Sequence, residues 1–206
     1  MSHEIELKLS LPEDQAERLK KHPFWQKYGQ SRGSIHLGNT YFDTPDMRLN
    51  QSRIALRIRE KNGQYFQTLK TKGESINGLT HRGEWEWSIT TPELDHDGLK
   101  NIWPAALQDV NSKTLIPLFA TDFDRTLWIV EWQQPAARIE AALDLGKVKA
   151  GSAESSICEL ELELLEGDES ALALVAQQLS QTVTLTPSDK SKAERGFELL
   201  SEACSV

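Results

Sequence analysis

Apolar and polar side chains alternate with period two over most of the chain, the pattern of strands whose two faces meet different surroundings. The alternation predicts strands near 3–10, 33–43, 53–61, 64–72, 80–90, 119–132, 136–149 and 155–166. Asn62-Gly63 stands between two alternating runs and reads as a hairpin turn, because both residue types tolerate positive φ. Gln133-Gln134-Pro135 reads as a second tight turn. Elsewhere the period changes. Residues 12–22 begin with a proline and place Ala16 and Leu19 on one side of a short amphipathic helix. Residues 92–111 carry Leu94, Leu99, Ile102 and Leu107 and predict one or two helices. Residues 168–180 open on a capping aspartate and stack Leu172, Val175, Ala176 and Leu179 on one stripe. A last helix is predicted over 188–201.

Strands joined mainly by hairpins predict an antiparallel barrel, because closure removes exposed edges. A doubly wound parallel sheet needs a helix between most strands, and those helices are missing. Neither GxGxxG nor GxxxxGK[ST] occurs. The expected architecture is a mainly β, closed, eight-stranded antiparallel barrel with helices packed outside, as one domain over 1–206.

Sorting strand residues by parity collects the charges. Glu4, Glu6 and Lys8 oppose Ile5, Leu7 and Leu9; Arg57, Arg59 and Lys61 oppose Leu56 and Ile58. Lys70 and Lys72 share a face, and Arg82, Glu84 and Glu86 oppose Trp85, Trp87 and Ile89. Arg138, Glu140 and Asp144 oppose Ile139, Ala141, Leu143 and Leu145. Glu159, Glu161 and Glu163 oppose Leu160, Leu162 and Leu164. One strand of this kind is an ordinary half-buried sheet with a wet face. Three like charges at alternate positions repel one another, however, with no offsetting gain on a plain solvent face. With the charged faces turned inward, the barrel becomes a polar tunnel and the helices cover its apolar outside. Alternation is symmetric between the two orientations. An inward charged face suits a polyanion with a divalent metal: carboxylates bind hard cations, and arginine forks match phosphate oxygens.

Composition narrows the field. The chain has 206 residues, 38% of them hydrophobic, with 23 basic and 31 acidic residues and a formal charge of −8. An acidic balance argues against a nucleic-acid coat. No apolar run approaches the roughly 18 residues of a membrane helix, and the charged start MSHEIELK has no signal-like apolar region. Cys158 and Cys204 are too few for a disulfide framework or a cysteine zinc site. A cytoplasmic protein without nucleic-acid or membrane partners is expected.

Glu4-Ile5-Glu6-Leu7-Lys8 matches the ExExK signature of the CYTH superfamily, the triphosphate tunnel metalloenzymes. The likeness continues through Tyr41-Phe42-Asp43-Thr44-Pro45, Leu56-Arg57-Ile58-Arg59, Thr68-Leu69-Lys70, Arg82-Gly83-Glu84-Trp85-Glu86, Asp124-Arg125-Thr126 and Glu159-Leu160-Glu161. The chain resembles that family over nearly its whole length. The resemblance implies an eight-stranded tunnel that binds triphosphate compounds with Mg²⁺ or Mn²⁺, with two ions expected. It implies Glu4, Glu6 and Glu161, with Glu159 nearby, as metal-binding carboxylates, and Glu140 and Asp144 for a second ion. Lys8, Arg57, Arg59, Lys70, Arg82 and Arg125 are implied as the phosphate cradle. Glu4, Glu6, Lys70 and Glu161 stand as the catalytic set. Glu163 extends the acidic run at a position that is often apolar in relatives. Ser191-Lys192-Ala193-Glu194-Arg195-Gly196-Phe197 is similar to the SKxxRGY-type ending of bacterial inorganic triphosphatases and adds Lys192 to the cradle. Longer members carry a helical CHAD domain, which is expected to be absent here or to belong to a longer parent chain. The implied activity is hydrolysis of inorganic triphosphate. Class IV adenylate cyclase, thiamine or nucleoside triphosphatase, and a non-catalytic polyphosphate- or nucleotide-binding module are the alternatives.

Two other motifs compete. Gly29-Gln30-Ser31-Arg32-Gly33 fits the nucleophile elbow GxSxG, but a helical segment precedes it and a strand follows, the reverse of what the elbow needs. Asp122-Phe123-Asp124-Arg125-Thr126 fits the DxDxT of haloacid-dehalogenase-type phosphatases, yet the strand runs on through Leu127-Trp128-Ile129-Val130. The five histidines lack paired metal-ligand spacing, and the six tryptophans read as helix–barrel packing.

Overall fold

The period-two segments form one closed antiparallel barrel in the computed structural model, which describes residues 2–71 and 73–203. Its eight staves are β1 (Ser2–Ser10), β2 (Gly29–Asp43), β3 (Ala55–Lys61), β4 (Gln64–Lys70), β6 (Leu79–Ile89), β7 (Ile116–Gln133), β8 (Ala136–Ala150) and β9 (Ala153–Gly167). Two short pieces, β5 (Glu74–Ile76) and β10 (Thr186–Pro187), pair with β6 and β1. The neighbour order is β1-β9-β8-β7-β2-β3-β4-β6, and β6 returns to β1 from Ser2↔Glu84 to Leu7↔Leu79. All eight predicted strands are present. β4 ends at Lys70, short of its predicted end, and Lys72, like Cys204, lies outside the described residues. The β3–β4 turn is made as expected, with Asn62 at φ 53° and Gly63 at φ 73°.

The helices differ more from expectation. The single helix predicted over 12–22 is a 3₁₀ turn followed by α1 (Ala16–Lys20), and α2 (Pro23–Tyr28) then starts afresh. Pro23 causes the break, because a residue before proline is pushed out of helical backbone; His22 has φ −62° and ψ 132°. Its Nδ1 accepts from the Phe24 N–H at 3.1 Å and caps α2. A short helix α3 (Arg48–Gln51) gave no periodic signal. Residues 92–111 hold α4 (His96–Lys100) and a 3₁₀ turn at Ala105–Leu107. Asp168, the expected cap, precedes the N-cap Glu169 of α5 (Ser170–Leu179), and its carboxylate accepts from the Ser170 N–H at 2.8 Å. α6 (Lys192–Ala203) begins four residues later than predicted, because Ser191 and Glu194 form a capping box. The Ser191 N–H donates to Glu194 at 2.7 Å and the Glu194 N–H to Ser191 Oγ at 3.1 Å.

Three apolar clusters fix the barrel's orientation. Leu7, Leu9, Val130, Ile139, Leu143, Leu160 and Leu162 pack under α1, α2 and α5, with Trp25 stacked on Trp128 at 4.3 Å. Leu56 and Leu69 pack under Leu49, Leu99 and Leu107, joined by Trp85, Trp87 and Trp103. The apolar faces therefore point outward and the tryptophans are packing residues. The third cluster is different: Phe197 of α6 meets Leu37, Tyr41, Phe119, Phe123 and Ile157. Those residues share the inward parity, so α6 closes one end of the tunnel. Gly196 makes this approach possible, since a Cβ there would stand 2.1 Å from the Phe119 ring.

Candidate functional site

The inward faces enclose a cavity of about 460 Å³. Glu4, Glu6 and Lys8 of β1 line it, as do Arg57 and Arg59 of β3, Lys70 of β4 and Arg82 of β6. Arg125, Glu140, Glu161 and Lys192 complete the predicted residues on its wall. Asp144 and Glu159, also expected here, are fully buried behind it. Glu163, the odd member of the acidic run, lines the cavity, together with Glu84 and Glu86.

On one side Lys70 Nζ donates to Glu4 at 2.8 Å and Arg82 Nε to the other Glu4 oxygen at 2.5 Å. Lys70 also stands 3.3 Å from Glu84. Burial alone would raise the Glu4 pKa, but Lys70 and Arg82 hold it at about 2. Among the described residues the cation within 4.0 Å of Glu6 is Arg82, at 4.0 Å. Burial, then the charge of Glu161, pushes Glu6 up to about 7. Glu163 is likewise pushed up to about 7, first by burial and then by Glu4.

Deeper, β7, β8 and β9 and the start of α6 build a balanced cluster. Arg125 grips Asp144 with both ends of its fork, at 2.7 and 2.6 Å, and also donates to Glu161. Lys192 reaches Asp144 and Glu161 at 2.7 Å each and pairs with Glu159. Arg195, which the sequence reading left out, pairs with Glu159 from the next turn of α6. Three carboxylates thus meet three cations. Burial opposes the charge of Arg125 and Lys192, yet the surrounding carboxylates raise both above their ordinary values. Glu161, despite burial, is held well below the carboxylate range by Lys192 and Arg125.

A third region is basic with little acid beside it. Arg57 donates from Nε to Thr68 Oγ1 at 3.3 Å, and its carboxylate neighbours, Glu84 and Glu86, stand 3.9 and 4.0 Å away. Thr68 Oγ1 in turn donates to Glu86 at 2.8 Å. Arg59 donates from Nε to Asn39 Oδ1 at 2.9 Å. Burial, then Arg57 and Arg125, lowers the Arg59 pKa to about 10. Asn39 lies outside every matched motif and Thr68 inside one with no role assigned to it; both matter through register.

The carboxylate oxygens suit a hard divalent cation. Ligand atoms of Asp144, Glu159 and Glu161 lie within 4.8 Å of one another, but their charge is already met by Arg125, Lys192 and Arg195. Glu6 and Glu163, opposite each other on β1 and β9, and Glu140, beside Glu163 on β8, carry less compensated charge. The competing motifs do not form sites. Ser31 is exposed at the start of β2, directly after α2. Asp122 lies on the barrel's outer surface, 3.5 Å from His36 and 3.5 Å from Lys149. No described helix is long and apolar enough to cross a membrane.

Comparison with known proteins agrees with this geometry. An inorganic triphosphatase of Haemophilus influenzae is 36% identical over 201 residues, covering 97% of this chain and 55% of the relative. The chain therefore spans about half the length of the curated relative it matches. A Hippeastrum adenylyl-cyclase candidate described as having a dominant triphosphatase activity superposes with a TM-score of 0.64 at 22% identity, over 97% of this chain and 96% of that one. A Pyrococcus horikoshii protein superposes with a TM-score of 0.55 at 19% identity, over 94% and 98%. At those identities the two structures speak for the fold. The CYTH domain model matches residues 2–197, and the chain belongs to the CYTH family.

Proposed function

We propose that the tunnel binds inorganic triphosphate and, with a divalent metal ion, hydrolyses it with one water to pyrophosphate and phosphate. The observation that carries this reading is the division of one cavity into an acidic wall and a basic wall. Glu6, Glu163 and Glu140 supply oxygen donors on one side, while Arg57 and Arg59 present guanidinium groups held by neutral oxygens on the other. Triphosphate carries roughly −4 to −5 at neutral pH and needs both kinds of partner.

Arg57, Arg59, Lys8 and Lys70 bind and orient the phosphate chain, and neutralise the charge that gathers on the leaving pyrophosphate. A triphosphate that draws Lys70 and Arg82 onto its oxygens releases Glu4, and one that draws Arg125 and Lys192 releases Glu161. Glu4, Glu6 and Glu161, joined by Glu163 and Glu140, would then hold Mg²⁺ or Mn²⁺, with room in the donor set for two ions. Asp144 and Glu159 keep Lys192 and Arg125 in place. The bound metal supplies charge neutralisation at phosphate oxygens and a nucleophilic water. Closure of one end by α6 restricts access of bulk water. A cytoplasmic setting is part of the same proposal.

Phosphate release from inorganic triphosphate, ATP and thiamine triphosphate, with and without Mg²⁺ or Mn²⁺, tests the reading. Metal-dependent turnover of inorganic triphosphate in preference to the other two is expected. Cyclic AMP from ATP would make the protein a cyclase, and tight binding without turnover would make it a binding module.

A further inference from the structure

Five of the tunnel's cations differ in what holds them. Lys70, Arg82, Arg125 and Lys192 are each held by a carboxylate at hydrogen-bond distance. Arg59 is held by a neutral amide, and among the described residues no carboxylate oxygen stands within 4.0 Å of its nitrogens. The holder is itself held. Asn39 of β2 lies opposite Arg59 on β3 and opposite Thr121 on β7, so the three form one rung across three strands. Asn39 Nδ2 donates to Thr121 Oγ1 at 3.0 Å, which fixes the amide with its oxygen toward Arg59. Asn39 is 3% exposed and Thr121 1%. This rung takes the Arg59 Nε, and Arg59 is among the residues that line the cavity.

We propose that Asn39 is a positioning residue for phosphate binding: it orients the Arg59 fork through Nε without cancelling its charge. The proposal rests on the triphosphate reading above. An aspartate would fit the same space and accept the same Nε–H more strongly, but it would neutralise the guanidinium that the phosphate needs. The amide orients Arg59 while leaving its charge for phosphate, whereas a carboxylate there would form a buried ion pair.

Asn39→Asp separates the two roles. Calorimetric binding of inorganic triphosphate, steady-state kinetics and thermal melting are measured for the wild type, N39D and Thr121→Val. N39D is expected to melt at or above the wild-type temperature, while the triphosphate Kd and KM rise about tenfold or more at little-changed kcat. Thr121→Val keeps the volume but frees the amide, and is expected to raise KM by a few-fold, again with kcat held. It stands as the test if N39D does not fold. N39D or Thr121→Val with wild-type KM and Kd overturns the proposal while leaving the function intact. A wild-type protein that neither binds nor turns over triphosphate overturns the functional reading, and this proposal with it.

Discussion

Glu6 and Glu163 stand directly opposite each other across the β1–β9 ladder, two carboxylates on one wall of the cavity. Like charges in this relation destabilise a sheet. Burial and neighbouring acids push each pKa from 4.5 to about 7, so the folded protein holds more protons than the unfolded chain between those values. Stability from these groups is therefore full below about 4.5 and is lost as the pH rises through about 7. Glu163→Gln is expected to raise the stability of the metal-free protein at pH 8, by up to about 1 kcal/mol, with the gain shrinking toward pH 5. The same variant should bind Mg²⁺ more weakly. Melting curves in chelator at both pH values, with no gain at pH 8, would contradict the cost of ionising Glu163 in its buried place among acids.

Glu6→Gln keeps the side chain's size and removes its charge from the acidic wall. Triphosphate turnover is expected to fall at least about a hundredfold, with partial rescue by excess metal. Asp122→Asn, on the outer surface, is expected to keep near-wild-type rates. Inactivation by the outer change, or trapping of an aspartyl-phosphate, would restore the competing phosphatase reading.

Parity separates binding from stability on β3. Arg57→Ala and Arg59→Ala should each weaken triphosphate binding by several-fold or more with modest changes in melting temperature. Leu56 is 1% exposed and Ile58 5%, so Leu56→Ala and Ile58→Ala should cost about 2–5 kcal/mol of stability. Binding loss confined to the leucine-face variants would invert the barrel.

His22 makes the acid limb steeper. Its Nδ1 accepts the Phe24 N–H, so protonation there removes the α2 cap, and Nε2 is buried with no hydrogen-bond partner among the described residues. Burial, then Arg18, lowers its pKa below 6.5, so the unfolded chain takes up the proton first. The contribution is present above about 6.5 and is lost as the pH falls below it. His22→Asn keeps an acceptor for the cap without the titration. Between pH 7 and 5 the wild type should lose on the order of 1 kcal/mol relative to this variant. Parallel pH–stability curves for the two proteins would show that the cap does not titrate.

Much of the barrel is legible in residues such as Glu159, Glu161 and Glu163, whose alternation with leucines defines two faces of one strand. Which face turns inward is not, because alternation has no handedness; the buried Leu56, Leu69 and Leu160 under the helices decide it. The cradle arginines are visible as charges, but their holders are not. Asn39 and Thr121 are unremarkable in sequence and come to bear on Arg59 only when register sets β2, β3 and β7 side by side, as Thr68 comes to Arg57 across β3 and β4. Arg195 sits inside a matched motif, yet its pairing with Glu159 depends on how α6 docks. The Ser191–Glu194 pair is present in the sequence as a capping box and explains why the last helix starts after residue 191 and not at 188.

The proposed reaction is hydrolysis of triphosphate inside the tunnel with a divalent ion. Its most direct measurement is the product balance from inorganic triphosphate as Mg²⁺ or Mn²⁺ is titrated into the metal-free protein. The expected result is no release without metal, then one phosphate and one pyrophosphate per triphosphate consumed. Release that ignores the metal, or saturable triphosphate binding with no product at any metal concentration, would contradict it.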